Sequence, residues 1–241
     1  MEKVLVEHLL HLIFVLPIIA LTLKNRTSES LKILLAFSIF FIGNSLLLAL
    51  PGHVPAFRIF EGQWNWDGKV FAILGAVVFL LLYRKFELKD YYLTLKQDKK
   101  HLKKGIIIIS VIFLLSSVLN IALNPFTTEW NWETLMFQLS MPGINEEIAY
   151  RGIMLGLLAK ILKANKFLHP AIIITAILFG LGHGFFLDGN WEVVFNAAPF
   201  FGTFALGMIW AWITMKTGSI LLALISHNLG NVADALISMC K

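Results

Sequence analysis

The chain is a succession of long apolar runs separated by short polar segments. A helix that crosses a bilayer needs about 20 mostly apolar residues. By that measure the pattern predicts eight spans, near residues 4–23, 31–51, 69–84, 105–124, 134–160, 168–187, 193–215 and 219–238. The third run is short, and the fifth is long and interrupted. We therefore predict an all-α, polytopic membrane protein: a bundle of about eight transmembrane helices that forms a single integral membrane domain over residues 1–241.

Composition supports the membrane class. Hydrophobic residues make up 58% of the chain and charged residues 15%, with a mean hydropathy of +0.77, whereas soluble domains carry roughly 25% charged residues. The segments 24–32, 84–104 and 160–166, together with Lys216, hold 15 of the 20 Lys and Arg residues. They lie on one side if all eight runs cross, and the positive-inside rule makes that side cytoplasmic and places both termini outside. This clustering argues against nucleic acid and predicts the lipid bilayer as a partner, in a multi-pass protein of a prokaryotic plasma membrane.

Several local signals refine the picture. The first run is not expected to be a removable signal peptide, because Glu2 and Glu7 accompany Lys3 and no small-residue cleavage site follows. The single cysteine, Cys240, excludes an intramolecular disulfide and a Cys-rich metal site. The basic segment 84–104 is expected either to lie against anionic headgroups or to form a solvated loop. Helix starts with an Asn cap and an interfacial Trp are predicted at Asn65-Trp66-Asp67, Asn131-Trp132-Glu133 and Asn190-Trp191-Glu192.

The stretch NEEIAYRG places three charged side chains inside the fifth apolar run. Charge at bilayer depth is costly and usually functional. Pro142 and the glycine after it predict a break in the helix, which would restart at Asn145. Glu147 and Arg151 are four residues apart and can pair on one face, which would leave Glu146 free to act as a base. A buried ion pair that only locks helix packing is the competing interpretation.

Two later runs add histidines. Phe179-Gly180-Leu181-Gly182-His183 lies near the outer end of the sixth run, and its glycines would allow close approach of another helix or of a substrate backbone. In the eighth run His227 and Asn231 are four apart and share a face, with Asp234 one turn further along. Each of these two sets of polar residues, taken by itself, is equally consistent with a role in helix packing. Together with Glu146 they are typical of a hydrolytic site, with a carboxylate that takes a proton from water, imidazoles that assist or bind a metal, and an amide that stabilises an oxyanion.

Glu146-Glu147-x-x-x-Arg151, Phe179-x-x-x-His183 and His227-x-x-x-Asn231 resemble the three motifs of the CAAX protease and bacteriocin-processing family, which includes abortive-infection-type proteins. They occur in the expected order on separate helices, in a motif-bearing half at about 134–238, and the first four runs carry nothing distinctive. The resemblance implies an intramembrane endopeptidase acting on lipidated proteins or peptides. It implies that Glu146 and His183 activate water, that His227 and Asn231 bind a metal or stabilise the oxyanion, and that Glu147 and Arg151 support them.

Two questions stay open from the sequence. Glu146, His183 and His227 are candidate zinc ligands, but a metal-free glutamate mechanism is favoured because no HExxH pair occurs. The predicted topology places Glu146 near mid-bilayer and His183 toward the outer face, whereas prenyl-protein proteases cut cytoplasmic tails. Either the cavity reaches inward past Arg151 or the substrate differs. The alternatives are a proton-coupled transporter, disfavoured because only one run is interrupted, and a non-catalytic immunity or scaffold protein, disfavoured because the motif residues are intact.

Overall fold

The computed structural model describes residues 1–123, 127–164 and 168–240. Helices dominate these residues, with one short hairpin of two strands. The α-helices are α1 (Glu2–Thr22), α2 (Ser28–His53), α3 (Trp66–Leu82), α4 (Lys99–Leu123), α5 (Trp132–Glu146), α6 (Leu155–Ile161), α7 (Pro170–Gly184), α8 (Ala197–Thr217) and α9 (Leu221–Cys240), and the strands are β1 (Phe185–Leu187) and β2 (Val193–Phe195). A π-helix (Glu147–Met154) joins α5 to α6, and 3₁₀ turns lie at Pro55–Phe57 and Leu88–Tyr91.

Five of the described helices, α1, α2, α4, α8 and α9, are long and apolar enough to cross a membrane, and α7 is a shorter apolar helix. Together with α3 and the continuous α5–π–α6 segment they form the predicted all-α polytopic fold, so the protein is a multi-pass membrane protein. α4 lies at the edge of the bundle, where Gly105 is its only buried residue among those described.

The helix ends meet at two opposite faces. At one face the Lys163 N–H donates to the Thr22 carbonyl at 2.7 Å, and the Asp98 N–H donates to the Thr217 carbonyl at 2.7 Å. The described Lys- and Arg-rich segments lie here, and we call this the basic face. At the other face the Thr128 N–H donates to the Ser238 carbonyl at 2.9 Å. We call this second face the vestibule face, for a cavity described below.

The vestibule face also carries the hairpin. The sequence predicted helix over 185–187 and from 193 onward, which is wrong, because Phe185 pairs with Phe195 in an antiparallel ladder. The predicted helix start at Asn190-Trp191-Glu192 is wrong for the same reason. Asp188 organises a turn there by accepting from the Asn190 and Glu192 N–H groups at 2.8 and 3.0 Å. The two valines of β2 suit a strand better than a helix start.

The other two predicted helix starts are confirmed. Asn65 Oδ1 accepts from the Gly68 N–H at 3.1 Å, and Asn131 Oδ1 accepts from the Thr134 N–H at 2.9 Å. Each bond satisfies one of the free N–H groups in the first turn. The described ends of α3 and α5 are therefore set by local sequence.

The predicted break at Pro142 does not occur, and α5 continues through it to Glu146. Pro142 has no N–H, and the next N–H, that of Gly143, donates to Asn228 Oδ1 on α9 at 2.9 Å. A Cβ at Gly143 would overlap this amide, so glycine permits the contact. The irregularity falls one turn later, in the π-helix, a feature that is frequent at functional sites.

The core surrounds the π-helix and α6. Ile153, Leu155 and Leu158 are fully buried. The basic segment 84–104 contributes to this core rather than lying only at the surface, because Tyr91 is buried against Gly156 and the Tyr92 carbonyl accepts from the Ile220 N–H at 3.1 Å.

Candidate functional site

The four residues predicted to be catalytic line one cavity of about 400 Å³. Glu146 comes from the end of α5, His183 from the last turn of α7, and His227 and Asn231 from one face of α9. The remaining lining includes Trp64, Lys69, Phe137, Gln138, Phe179, Thr203 and Trp210. Residues far apart in the chain therefore meet in one place, although this proximity does not assign their roles.

Beneath the cavity lies the predicted pair of Glu147 and Arg151. Their side chains are 0% and 1% exposed, and Arg151 Nη1 donates to Glu147 Oε1 at 3.0 Å. The same carboxylate oxygen lies 2.8 Å from Nδ1 of His227. An ionised carboxylate only accepts hydrogen bonds, so the proton of the neutral imidazole is on Nδ1, and Nε2 carries the lone pair. Glu147 thus orients His227, a role that the sequence did not assign.

Glu146 is not free, contrary to the sequence prediction. Lys69 of α3 places its ammonium 2.6 Å from Oε1 of Glu146 and 3.4 Å from Oδ1 of Asn145. The side chains of Lys69 and Glu146 are only 9% and 15% exposed. The second carboxylate oxygen, Oε2, is buried without a hydrogen-bond partner among the described residues and lies 3.7 Å from Nε2 of His227.

Lys69 also corrects the expectation that the first four runs carry nothing distinctive. The missed signal was a lysine inside the first turn of an apolar helix, four residues after the Asn65 cap. Such a charge needs a partner in a membrane, and α3 has no acidic residue three or four positions from Lys69. Asp67, two residues away, accepts from the Ile59 and Phe60 N–H groups instead.

His183 lines the cavity. Its Nδ1 lies 2.8 Å from the Phe179 carbonyl, and because a carbonyl only accepts, Nδ1 carries the proton of the neutral ring. Of the two glycines before it, Gly180 has the predicted packing role, because a Cβ there would lie 3.0 Å from the Phe200 carbonyl of α8, whereas a Cβ at Gly182 would make only an ordinary contact, 3.5 Å from the Tyr150 hydroxyl. Gly184, which follows the histidine, is more crowded, since a Cβ there would lie 2.5 Å from Cβ of Phe200.

An aromatic wall supports the imidazole and the guanidinium. Trp210 of α8 stacks on His227 with ring centroids 4.5 Å apart and an interplanar angle of 17°. Its Nε1 donates to Ser226 Oγ at 3.1 Å, which fixes the indole. Phe179 lies 4.1 Å from Cζ of Arg151 in a cation–π contact. The sequence pointed to Phe179 through its motif but carried no signal for Trp210.

Asp234 does not orient His227 or Asn231. Its side chain is exposed and is hydrogen-bonded with Asn120. It lines a second, larger cavity of about 650 Å³ at the vestibule face, which we call the vestibule. Asn231 lines both cavities.

The candidate zinc ligands do not form a metal site as arranged. Within residues 1–123, 127–164 and 168–240, no three His, Cys, Asp or Glu side chains are placed to hold a metal ion. The Lys69 ammonium already lies 2.6 Å from Glu146 Oε1, and a divalent cation bound to that carboxylate would be repelled by it.

The fold and the site define a polytopic membrane protein whose helices enclose a polar cavity with paired carboxylates. Residues 128–233 match a family model, "Type II CAAX prenyl endopeptidase Rce1-like". The match confirms the resemblance seen in the three motifs: residues 128–233 form an Rce1-like domain, which supports a CAAX-type intramembrane endopeptidase at the family level. No curated protein and no solved structure matches the chain. Lys69 lies outside the matched segment.

Proposed function

We propose that the protein hydrolyses peptide bonds of membrane-associated proteins or peptides, with Glu146 as the residue that activates water and without a metal. One observation carries this proposal. Glu146 Oε1 is held by Lys69 at 2.6 Å, while no described group donates a hydrogen bond to Oε2. The carboxylate is therefore fixed on one side, and its buried second oxygen keeps an accepting capacity that a water molecule admitted next to it would fill.

In the proposed reaction, water forms a bond to the scissile carbonyl carbon as its proton passes to Glu146 Oε2. The Nε2 lone pair of His183 accepts the second hydrogen of this water and orients it. The amide of Asn231 donates to the developing oxyanion. The proton on Glu146 then passes to the leaving nitrogen as the C–N bond breaks, which releases a carboxylic acid and an amine and restores the carboxylate.

His227 is proposed to share the proton that Glu146 receives. Its Nε2 atom lies 3.7 Å from Glu146 Oε2, and its Nδ1 proton is anchored on Glu147. When His227 becomes an imidazolium, its two N–H groups face two carboxylates, which stabilises the cation. Stacking on Trp210 restricts the ring to the plane that this transfer requires.

The arrangement also keeps the buried charges balanced. Lys69 compensates Glu146, and Arg151 compensates Glu147. Buried charges are tolerated when they are paired and hydrogen-bonded. A proton can therefore move within the site without a net charge being created in the membrane.

The test is proteolysis in mild detergent with a library of quenched-fluorescent peptides, both lipidated and plain. Wild type is compared with Glu146→Gln, His227→Ala and a control, Glu87→Gln, which removes an exposed carboxylate at the basic face. Each protein is assayed with and without a chelator. We expect the rate of cleavage to fall by about two orders of magnitude or more in the two site variants, with no loss in the control and no effect of chelator.

Three results would count against parts of this proposal. Activity that is lost with chelator and restored by zinc would replace the metal-free mechanism with a metal-dependent one. Full activity in Glu146→Gln would remove Glu146 from the chemistry. A folded wild type that cleaves no peptide in the library would contradict the proposed hydrolase function.

A further inference from the structure

The vestibule and the cavity around Glu146 adjoin each other. Trp64, Gln138 and Asn231 line both. The volumes are about 650 Å³ for the vestibule and about 400 Å³ for the inner cavity. A chain in extended conformation that entered the vestibule would therefore pass Gln138 and Asn231 before it reached the carboxylate.

The vestibule opens at the face opposite the basic loops. Its lining comes from helix ends and loops of that face, including Trp64 before α3, Trp130 before α5 and Met239 at the end of α9. The described Lys and Arg residues of the basic segments, together with Lys216, belong to the other end of the bundle. By the positive-inside rule the vestibule faces away from the cytoplasm.

In the direction of the basic face the site is closed by packed side chains. Arg151 and Met154 are each 1% exposed, and Ile153 and Leu157 are each 0% exposed. The cavity therefore does not reach inward past Arg151 through the described residues, which was one of the two resolutions that the sequence allowed.

The lining of the vestibule is suited to a polypeptide. Its described residues include five carboxamides: Gln63, Asn120, Asn131, Gln138 and Asn231. Asn131 donates to Gln63 at 3.1 Å and Asn120 is bonded to Asp234, while the amides of Gln138 and Asn231, which line both cavities, can hydrogen-bond the N–H and C=O groups of a peptide backbone. Trp64 and Trp130 add flat apolar surface. The charged residues among those described are Glu129 and Asp234, both exposed, so a segment with negative charge is disfavoured on electrostatic grounds.

We infer that the substrate is a neutral or basic polypeptide segment that reaches Glu146 through the vestibule, from the face of the membrane opposite the Lys- and Arg-rich loops. This inference rests on the proposed function. It specifies the side of the membrane on which the substrate is presented, and it separates this protein from enzymes that cut tails presented from the cytoplasm.

The test uses vesicles and site-specific blocking. In a Cys240→Ser background, which removes the only native cysteine, Ala235→Cys or Met239→Cys places a thiol in the vestibule lining. A control variant, Leu95→Cys, places one at the basic face, on a side chain that is 83% exposed. Proteoliposomes containing both orientations are treated with a bulky, membrane-impermeant maleimide. A water-soluble, lysine-containing quenched peptide that wild type cleaves in detergent is then added outside.

We expect the maleimide to remove nearly all external cleavage by Ala235→Cys or Met239→Cys, because the molecules that can reach the peptide are the ones that are labelled. Detergent should then restore activity from the unlabelled, inward-facing molecules. Labelled Leu95→Cys should keep its external activity. A matched peptide with Glu in place of Lys should show a KM raised by several-fold.

Unchanged external cleavage by both labelled vestibule variants would overturn the inference, because the active molecules would then present their basic face to the peptide. Equal KM values for the two peptides would overturn the charge preference. If wild type cleaves the peptide in detergent, either failure leaves the proposed hydrolase function intact. If wild type cleaves nothing in detergent, it is the proposed function that fails.

Discussion

Replacing Lys69 by Met tests whether the contact between the first half of the chain and the motif-bearing half is energetically important. Methionine keeps most of the length and the apolar stem of lysine but removes the ammonium. Glu146 would then lose the partner that lies 2.6 Å from its Oε1 atom. The substitution leaves the motifs and the matched segment unchanged.

The magnitude follows from the geometry. Two unit charges 2.6 Å apart attract by about 6 kcal/mol at an effective dielectric constant of about 20. Desolvation of both groups offsets part of that attraction, and breaking a buried pair by removing one partner typically costs about 3–5 kcal/mol. Because 15% of the Glu146 side chain is exposed to the cavity, we expect the lower end, about 3 kcal/mol of unfolding free energy.

The assay is a double-mutant cycle. Unfolding of wild type, Lys69→Met, Glu146→Gln and the double variant is followed in mild detergent with a chemical denaturant, using the fluorescence of the seven tryptophans. The double variant carries neither charge, so no charge is left unpaired. Its loss of unfolding free energy should therefore be smaller than the sum of the two single losses by about 2 kcal/mol or more. Lys85→Met is the control. The side chains of Lys85 and its partner Glu29 are 33% and 68% exposed, so this ion pair should contribute less than about 1 kcal/mol to the unfolding free energy.

Additive effects, within about 0.5 kcal/mol, would refute the reasoning, because they would mean that Lys69 and Glu146 are not coupled. If Lys85→Met lowered the unfolding free energy as much as Lys69→Met does, the reasoning would also be refuted, because burial of the ion pair would then have no effect on its contribution.

Three further predictions concern the surrounding structure. Glu147→Gln should lower the unfolding free energy by about 3 kcal/mol, because it leaves the buried guanidinium of Arg151 without its carboxylate partner. A denaturant midpoint equal to that of wild type would contradict this prediction. Gly143→Ala should destabilise the protein by about 1–3 kcal/mol, because its methyl group overlaps the Asn228 amide; Asn228→Ala should restore part of the loss in the double variant, and no recovery would argue against the overlap. The hydrogen bond from Lys160 lowers the pKa of Asp90, so this pair stabilises the folded state above the ordinary pKa of an aspartate and ceases to do so as the pH falls through the lowered value. Asp90→Asn should therefore be less stable than wild type at neutral pH, and the gap should close in acid; a gap that does not change with pH would contradict the assignment.

Local chemistry explains what was predictable in the fold. A run of about 20 apolar residues predicts a spanning helix wherever it occurs, so the helical spans followed from the sequence. Asn65 and Asn131 each cap a helix by a hydrogen bond to the residue three positions later, and Glu147 and Arg151, which form an ion pair, are four positions apart. The hairpin at 185–195 was missed because its apolar residues read equally well as extensions of the two flanking helices.

In the site, the sequence indicated the residue types but not their partners. It determined by itself the apolar spans, the basic face, two of the three predicted helix starts and three motifs on three helices, because each depends on composition or on spacing within a helix. Only the tertiary structure decided that Lys69 meets Glu146 across 77 positions and that Glu147 meets His227 across 80. It also decided that the cavity opens opposite the basic face. Contacts of this kind depend on how the helices pack against one another, and helical periodicity within a segment carries no information about which face of a distant helix will lie beside it.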